Sequence, residues 1–403
     1  MNRKNVLWNI IGSTVYAVTS TLIGTVVMRM LGAGQGGIFL FAFSTLGQHI
    51  FIISYFGMRP IQVTDTRGTP FGSYLRLRLL TCAAAMIFAV LFAFFYAGLS
   101  EKTACILIIA LYKVTDGLAD CYECEFQRLG RLDITGKSMT VRTVVSVGVF
   151  LAVLAAAKDL VAACAAMTAA LLLSVFLLCV LRIRHFSPDG SVPKGSVKAL
   201  FEEGKWLFVS AFLDLFIFSA GKYAVDAYQS AAISGYFGII FLPASAINMA
   251  ANYVIRPLLP SLSEEYTRDR SIFRKNIGKL SGVIALLTAA GLAAGAAAGM
   301  PVIRLLVGET AGAEIAAYKT AFLLLIAGGG LYALINLFYY VLVIYGSEKT
   351  IFRIYAAGTA LAAAVCFAAA KRRGINGGAA GFVLCMAAMT MMFGAVILKN
   401  EKN

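Results

Sequence analysis

Apolar residues come in runs of roughly 20, the length an α-helix needs to cross the hydrocarbon core of a bilayer, with short polar segments between them. Twelve runs are legible, at residues 6–29, 36–58, 78–98, 103–121, 139–157, 159–181, 206–225, 232–255, 278–300, 318–345, 350–370 and 376–398. The first is too long for the apolar core of a cleavable leader and has no small-residue cleavage site behind it, so it is taken as a true span. Met300–Val307 either extends the ninth helix or re-enters the membrane. The longest polar interruption, 182–205, contains Pro188, Gly190, Pro193 and Gly195 between cationic flanks. That composition suits a tether with a short amphipathic helix near Val197–Phe201. The expected fold is an all-α polytopic membrane protein: a six-helix bundle over 1–181, a linker over 182–205, and a second six-helix bundle over 206–403.

Composition supports a membrane as the main solvent. The 403 residues are 60 % hydrophobic and only 14 % charged, with a mean hydropathy of +0.82, too little polar surface for a water-soluble domain. The net charge of +15 falls between the apolar runs instead of forming one basic face with interleaved aromatics, which argues against a nucleic-acid partner. Topology accounts for the charge better: with the N-terminus inside, 25 of the 35 Lys and Arg fall on the cytoplasmic side and eight on the outer side. Both termini and the linker are thus expected in the cytoplasm; Lys371-Arg372-Arg373 dissents, on the outer side. The eight cysteines fall nearly all within spans and without a repeated spacing, so they are small helix residues and not a disulfide framework. Cys121-Tyr122-Glu123-Cys124 has no second pair to complete a zinc site. No metal or other cofactor is expected.

A short internal repeat connects the halves. Gly37-Ile38-Phe39 opens the second span and Arg59-Pro60 closes it; Gly235-Tyr236-Phe237 opens the eighth and Arg256-Pro257 closes it. Two parallel six-span halves predict a pseudo-twofold axis along the membrane normal, with a cavity between the bundles.

Ionisable residues inside spans are expensive, and each asks for a partner or a function. The fourth span carries Lys113, Asp116 and Asp120; the seventh carries Asp214, Lys222 and Asp226. Spacings of three and four allow Lys113–Asp116 and Lys222–Asp226 pairs on one helix face. Either these neutralise each other near the interface, or Lys113 and Lys222, with Arg142, line a cationic cavity that meets an anionic headgroup, since lysine acts as a point charge for phosphate. Asn9, with the hydroxyl residues of the first span, either faces that cavity or packs against a neighbouring helix. Gly291, Gly295 and Gly299 form a tandem GxxxG packing face. Gly328-Gly329-Gly330 is either a hinge or a site of close packing. With two histidines, His49 and His185, and no P-loop, H-E-x-x-H or dinucleotide fingerprint, no catalytic residue is assigned and ATP-driven transport is not expected. An ion gradient, the membrane potential or removal of the product would supply the energy.

Several stretches resemble a known family. Arg29-Met30-Leu31-Gly32 followed by Gly36-Gly37-Ile38-Phe39 is similar to the end of the first span and the start of the second in Wzx-type oligosaccharide flippases of the MOP superfamily. Lys113, Asp120, Glu125-Phe126-Gln127-Arg128, Arg131-Leu132-Asp133, Arg142 and Lys222 before Ser234-Gly235-Tyr236-Phe237 extend the likeness over most of the chain. The resemblance implies an exporter in a bacterial plasma membrane that moves undecaprenyl-diphosphate-linked oligosaccharide from the inner to the outer leaflet by alternating access. It also implies a basic cavity for the diphosphate, with a polysaccharide polymerase and glycosyltransferases as partners. Two features depart from it: Gly-Ile-Phe stands where the family usually has Tyr-Gly, and there is no thirteenth or fourteenth span, which separates the chain from the longer lipid II flippases of the superfamily. A MATE-like drug or cation antiporter ranks lower, because its first span would be expected to carry a coupling carboxylate and 6–29 has none. A membrane enzyme would need a large outer loop, and the longest expected is 301–317. A non-transporting scaffold for sugar-assembly enzymes is consistent with the same sequence.

Overall fold

The computed structural model describes residues 3–186 and 192–402, and these contain helices, turns and no strand. Among the described residues, ten helices are long and apolar enough to cross a membrane. Two further spans raise that to the twelve expected. Glu101–Arg128 is 28 residues long, about 42 Å at 1.5 Å per residue, and is set apart only by its many charges. Glu348–Lys402 breaks at Arg373 and Gly374, whose backbones are non-helical. The chain turns back there so tightly that a Cβ on Gly377 would lie 1.9 Å from the Ala369 carbonyl oxygen, and the Sγ atoms of Cys366 and Cys385 stand 4.0 Å apart. The basic cluster Lys371–Arg373 occupies this turn. Pro188 and Gly190 of the linker lie outside the described residues.

The helices are α1 (Arg3–Leu31), α2 (Ala33–Val63), α3 (Phe71–Ala97), α4 (Glu101–Arg128), α5 (Leu132–Ala157), α6 (Leu160–Ile183), α7 (Ser196–Tyr228), α8 (Ala231–Arg268), α9 (Arg270–Val307), α10 (Glu309–Ala316), α11 (Lys319–Ile344) and α12 (Glu348–Lys402). Four, α3, α5, α7 and α9, begin seven to ten residues before the apolar runs that announced them. α3 takes in Arg76 and α5 takes in Lys137, because a charge near a helix end lowers the local hydropathy without ending the helix. The segment 197–201 is the start of α7 and not a separate helix. Met300–Val307 continues α9, with Pro301 inside it.

Besides the break in α12, three helices are interrupted, α6 by a π-helical turn at Phe176–Val180. α2 contains a π-helical turn at Phe41–Leu46 and breaks at Phe56 and Gly57, which both take positive φ (52° and 64°) before the helix resumes at Met58. A left-handed backbone is costly for a β-carbon residue. Phe56 is held in it by stacking on Phe208 at 4.8 Å and Phe201 at 5.1 Å. α8 has a single-residue turn at Phe241.

The chain divides into two compact units, Met1–Phe212 and Leu213–Asn403. In the first, α4 is the central helix and packs against α2, α3, α5 and α6. α1 crosses α5 where Gly12 meets Gly136, so closely that a Cβ on Gly12 would lie 2.7 Å from the Gly136 carbonyl oxygen. In the second, α11 is central and packs against α8, α9 and α12. Gly328, Gly329 and Gly330 make this possible. A Cβ on each would collide with Phe382, Ala244 and Thr288 respectively, one residue from each neighbouring helix. α11 runs through the three glycines from Lys319 to Ile344. Gly295 and Gly299 of the GxxxG face receive Phe322 of α11.

Candidate functional site

The polar residues inside the spans gather into one cluster in each unit. In the first unit, α4 places Asp116, Asp120 and Glu123 at spacings of four and three, which keeps them on one face. All three are buried. Arg142 of α5, itself buried, bridges two of them: its Nη1 pairs with Asp116, and its Nε donates to Glu123 at 3.0 Å. The Tyr16 hydroxyl of α1 donates to the second oxygen of Asp116 at 2.6 Å. Asp120 is clamped by two guanidinium groups, Arg59 at 2.5 Å and Arg78 at 3.3 Å. Arg78 also donates to the Ser54 carbonyl at 3.0 Å, a carbonyl in the last turn before the break in α2. One turn on, Glu125 takes a bond from Arg128 at 2.7 Å and one from Gln62 at 3.4 Å.

Burying a charge is tolerated when it is paired and its remaining hydrogen-bonding capacity is met. One cation here is not so provided. The Lys113 side chain has no exposure, and its Nζ makes no hydrogen bond. It stands 3.7 Å from the centre of the Phe43 ring, in the π-helical turn of α2. A Cβ on Gly47 would come within 3.3 Å of the lysine stem, so the absence of a side chain there makes room for it. A desolvated cation–π contact is worth about 2 kcal/mol, less than the several kcal/mol of burying an ammonium group. Asp116, three residues away, is engaged by Arg142 and Tyr16.

The second unit carries its polarity differently. Asp214 of α7 accepts from the Tyr332 hydroxyl at 2.7 Å and from Tyr355. Asn336 of α11 donates to the Tyr332 carbonyl at 3.1 Å and to Asn248 Oδ1 of α8 at 2.9 Å. Asn252 donates to the same Oδ1 at 3.1 Å. Lys222 faces rings, with its Nζ 4.2 Å from Phe241 and 5.7 Å from Phe218. Asp226 is buried on the same helix.

The residues singled out in the sequence therefore fall into two groups. Lys113, Asp116, Asp120 and Arg142 share the α4 cluster, while Asp214, Lys222 and Asp226 belong to the second unit. Asn9 sits at the α1–α5 crossing, where its backbone nitrogen would be 2.6 Å from a Cβ on Gly136. Sequence reasoning missed Arg59, Arg78, Glu123 and Tyr16. Two of these had a signal: Arg59 ends the second span in the internal repeat, and Glu123 lies between two cysteines on a helix already carrying carboxylates.

A family model described as polysaccharide biosynthesis protein matches residues 62–310, more than half of the chain. The chain belongs to this family. No curated protein matches this family member by sequence. Its fold is that of MOP superfamily transporters. It is similar to a structure of the lipid II flippase MurJ in an inward closed conformation (TM-score 0.68, 13 % identity, covering 96 % of this chain and 87 % of that one). It is similar to the MATE multidrug transporter DinF-BH (0.67, 13 %, 98 % and 94 %). It is also similar to an inward-facing multidrug resistance MATE family transporter (0.66, 10 %, 96 % and 96 %). This member of the polysaccharide biosynthesis family is thus a multi-pass membrane protein with a transporter's architecture.

Proposed function

We propose that this protein is a flippase, not an enzyme, that moves undecaprenyl-diphosphate-linked oligosaccharide from the inner to the outer leaflet of a bacterial plasma membrane. It would work by alternating access, with both termini in the cytoplasm. The observation that carries the reading is Lys113: a buried ammonium with no hydrogen bond, beside a carboxylate already committed to Arg142. A fold tolerates such a group where a second state gives it a partner. In the state described here Phe43 covers it; in the open state a diphosphate oxygen takes the place of the ring. Lys222 in the second unit is a second such point charge. Arg142, Asp116 and Asp120, with Asp214 and Asp226, set the field around these lysines, and Asn9 adds polarity to the first helix. Gly328–Gly330 serve as the hinge of α11 in the same proposal. A polysaccharide polymerase and glycosyltransferases are the expected partners.

Transport of a fluorescent polyprenyl-diphosphate oligosaccharide in proteoliposomes tests this. Wild type is expected to move it, with Lys113→Ala and Lys222→Ala slower by at least about tenfold, the equivalent of one charge-assisted hydrogen bond. Wild-type movement that both variants match would remove the lysines from the mechanism. A second reading, export of organic cations, is favoured by Asp214, a span carboxyl met by tyrosine hydroxyls. Wild type that moves no lipid-linked sugar yet exports cationic dyes would establish it.

A further inference from the structure

We infer that the face of α8 carrying Asn248, Asn252 and Arg256 is a subsite that reads the sugar portion and the adjoining anionic group of the cargo. This rests on the reading of the cargo as a lipid-linked oligosaccharide. The spacing of four and four puts the three side chains in one line, about 12 Å from first to last at 1.5 Å per residue. Amides in a membrane span must face water or protein, since lipid offers them no partner, and Arg256 stands at the end of the same span. A cavity of about 380 Å³ opens on this line, walled by Asn248, Met249, Asn252, Tyr253, Arg256 and Pro257.

The hydrogen-bond inventory of the amides shows what the face can still accept and give. Asn248 Oδ1 takes bonds from Asn252 and Asn336, so both of its lone pairs are used. Asn252 spends its amide hydrogens on that oxygen and on the Asn248 backbone carbonyl at 2.9 Å. Among the described residues, no protein group bonds the Asn248 Nδ2 or the Asn252 Oδ1. An unspent donor and an unspent acceptor thus lie one turn apart on the cavity wall. A sugar hydroxyl both donates and accepts, so neighbouring hydroxyls on a pyranose ring meet this pair. The Tyr253 ring, 66 % exposed, offers a flat apolar surface for the C–H face of the ring. Arg256, exposed and without an ion-pair partner among the described residues, stands one turn beyond Asn252 and suits a diphosphate or a carboxylated sugar. The same charge repels an organic cation.

The test is equilibrium binding to the full-length protein in detergent, with a labelled polyprenyl-diphosphate oligosaccharide and the same lipid diphosphate without sugar. Wild type should prefer the sugar-bearing lipid by about tenfold or more, since losing paired hydroxyls leaves the site's polar atoms unmet. Asn252→Leu should erase that preference while leaving the affinity for the sugar-free lipid within about twofold. Tyr253→Ala, at an exposed position that folding does not depend on, should reduce the preference and keeps the test valid if Asn252→Leu misfolds. Arg256→Gln should weaken both lipids equally. Equal affinity of wild type for the two lipids, or a preference unchanged in both Asn252→Leu and Tyr253→Ala, overturns the subsite. The flippase reading fails separately, in proteoliposomes: a protein that binds the sugar through Asn252 but moves no lipid has the subsite without the transport.

Discussion

The two units bury polar groups in contrasting ways. The first locks α4 in place with ion pairs: Asp116 and Glu123 with Arg142, and Asp120 with Arg59 and Arg78. The second connects α7, α8 and α11 with neutral donors, the Tyr332 hydroxyl on Asp214 and the Asn248–Asn252–Asn336 amides. The energetic difference is large. Removing one partner of a buried ion pair leaves an uncompensated charge and costs about 3–5 kcal/mol, whereas a hydrogen bond between membrane helices averages about 0.6 kcal/mol and reaches about 1.7. An amide network can exchange partners with a ligand at little cost; a guanidinium clamp cannot. The first unit is built as a fixed scaffold around one unpaired cation, and the second as an adaptable wall.

The largest expected effect is therefore at Arg142. Arg142→Ala strands Asp116 and Glu123 in the interior and should destabilise the protein by about 3–5 kcal/mol, read as a lower thermal midpoint in detergent. Replacing the whole set, Arg142→Met with Asp116→Asn and Glu123→Gln, should recover most of that loss, because a buried neutral amide carries a much smaller desolvation penalty than a buried charge. A single variant no worse than the triple would mean that these charges are solvated by water in the folded protein, and the contrast between the units would collapse.

How much of this the sequence showed follows from what a local pattern can carry. A bilayer demands runs of fixed length, so the span count was legible in run length alone. Helix starts were misjudged at α3 and α5 because Arg76 and Lys137 lower the hydropathy of helix ends that run past the apolar core, while the partners of Arg78 and Arg142 lie on another helix, 42 and 26 residues away, where no local pattern reaches. Lys113, Asp116, Asp120 and Arg142 stood out as charges in apolar surroundings. Their pairing did not, since spacing favours Lys113 with Asp116 while the fold gives Asp116 to Arg142. The spacing of Asn248, Asn252 and Arg256 is regular, but uncharged amides barely disturb a hydropathy profile, and only Arg256 drew notice.

Lys113 probes the boundary between scaffold and site. Lys113→Met keeps the length of the stem and removes an ammonium that has no hydrogen bond, so it should raise stability, by on the order of 1–3 kcal/mol, while abolishing transport of the lipid-linked sugar. Gain of stability with loss of function is the mark of a residue kept for its chemistry. A loss of both would make Lys113 one more member of the ion-pair scaffold, balanced by Asp116.

In the second unit, Asn336→Leu removes one donor from Asn248 and one from the Tyr332 carbonyl, yet the expected cost is only about 0.6–1.7 kcal/mol. Measured beside Arg142→Ala in the same detergent, it gives the ratio between the two modes of burial directly. Comparable costs would show that the amide ladder is as rigid as the charged cluster, which would also weaken its role as an adaptable wall.

The smallest effect belongs to an ion pair at the edge of the first unit, where water competes. Asp65, in the loop between α2 and α3, accepts from Arg67 Nε at 3.0 Å and from the backbone nitrogens of Arg67 and Thr69 at 3.1 and 2.8 Å. Burial pushes its carboxyl up, but these donors outweigh burial and lower it to about 2. The unfolded value is about 3.9, so the loop's contribution is complete above roughly pH 4 and disappears as the pH falls towards 2. Asp65→Asn should lower the thermal midpoint at pH 6 by on the order of 1–2 °C, with wild type and variant converging below pH 3. Because the Arg142 cluster lies beyond the reach of water, its variant should show no such convergence over the same range. If it did, acid would be entering the α4 cluster, and the ion pairs of the first unit would be no more fixed than the one in its loop.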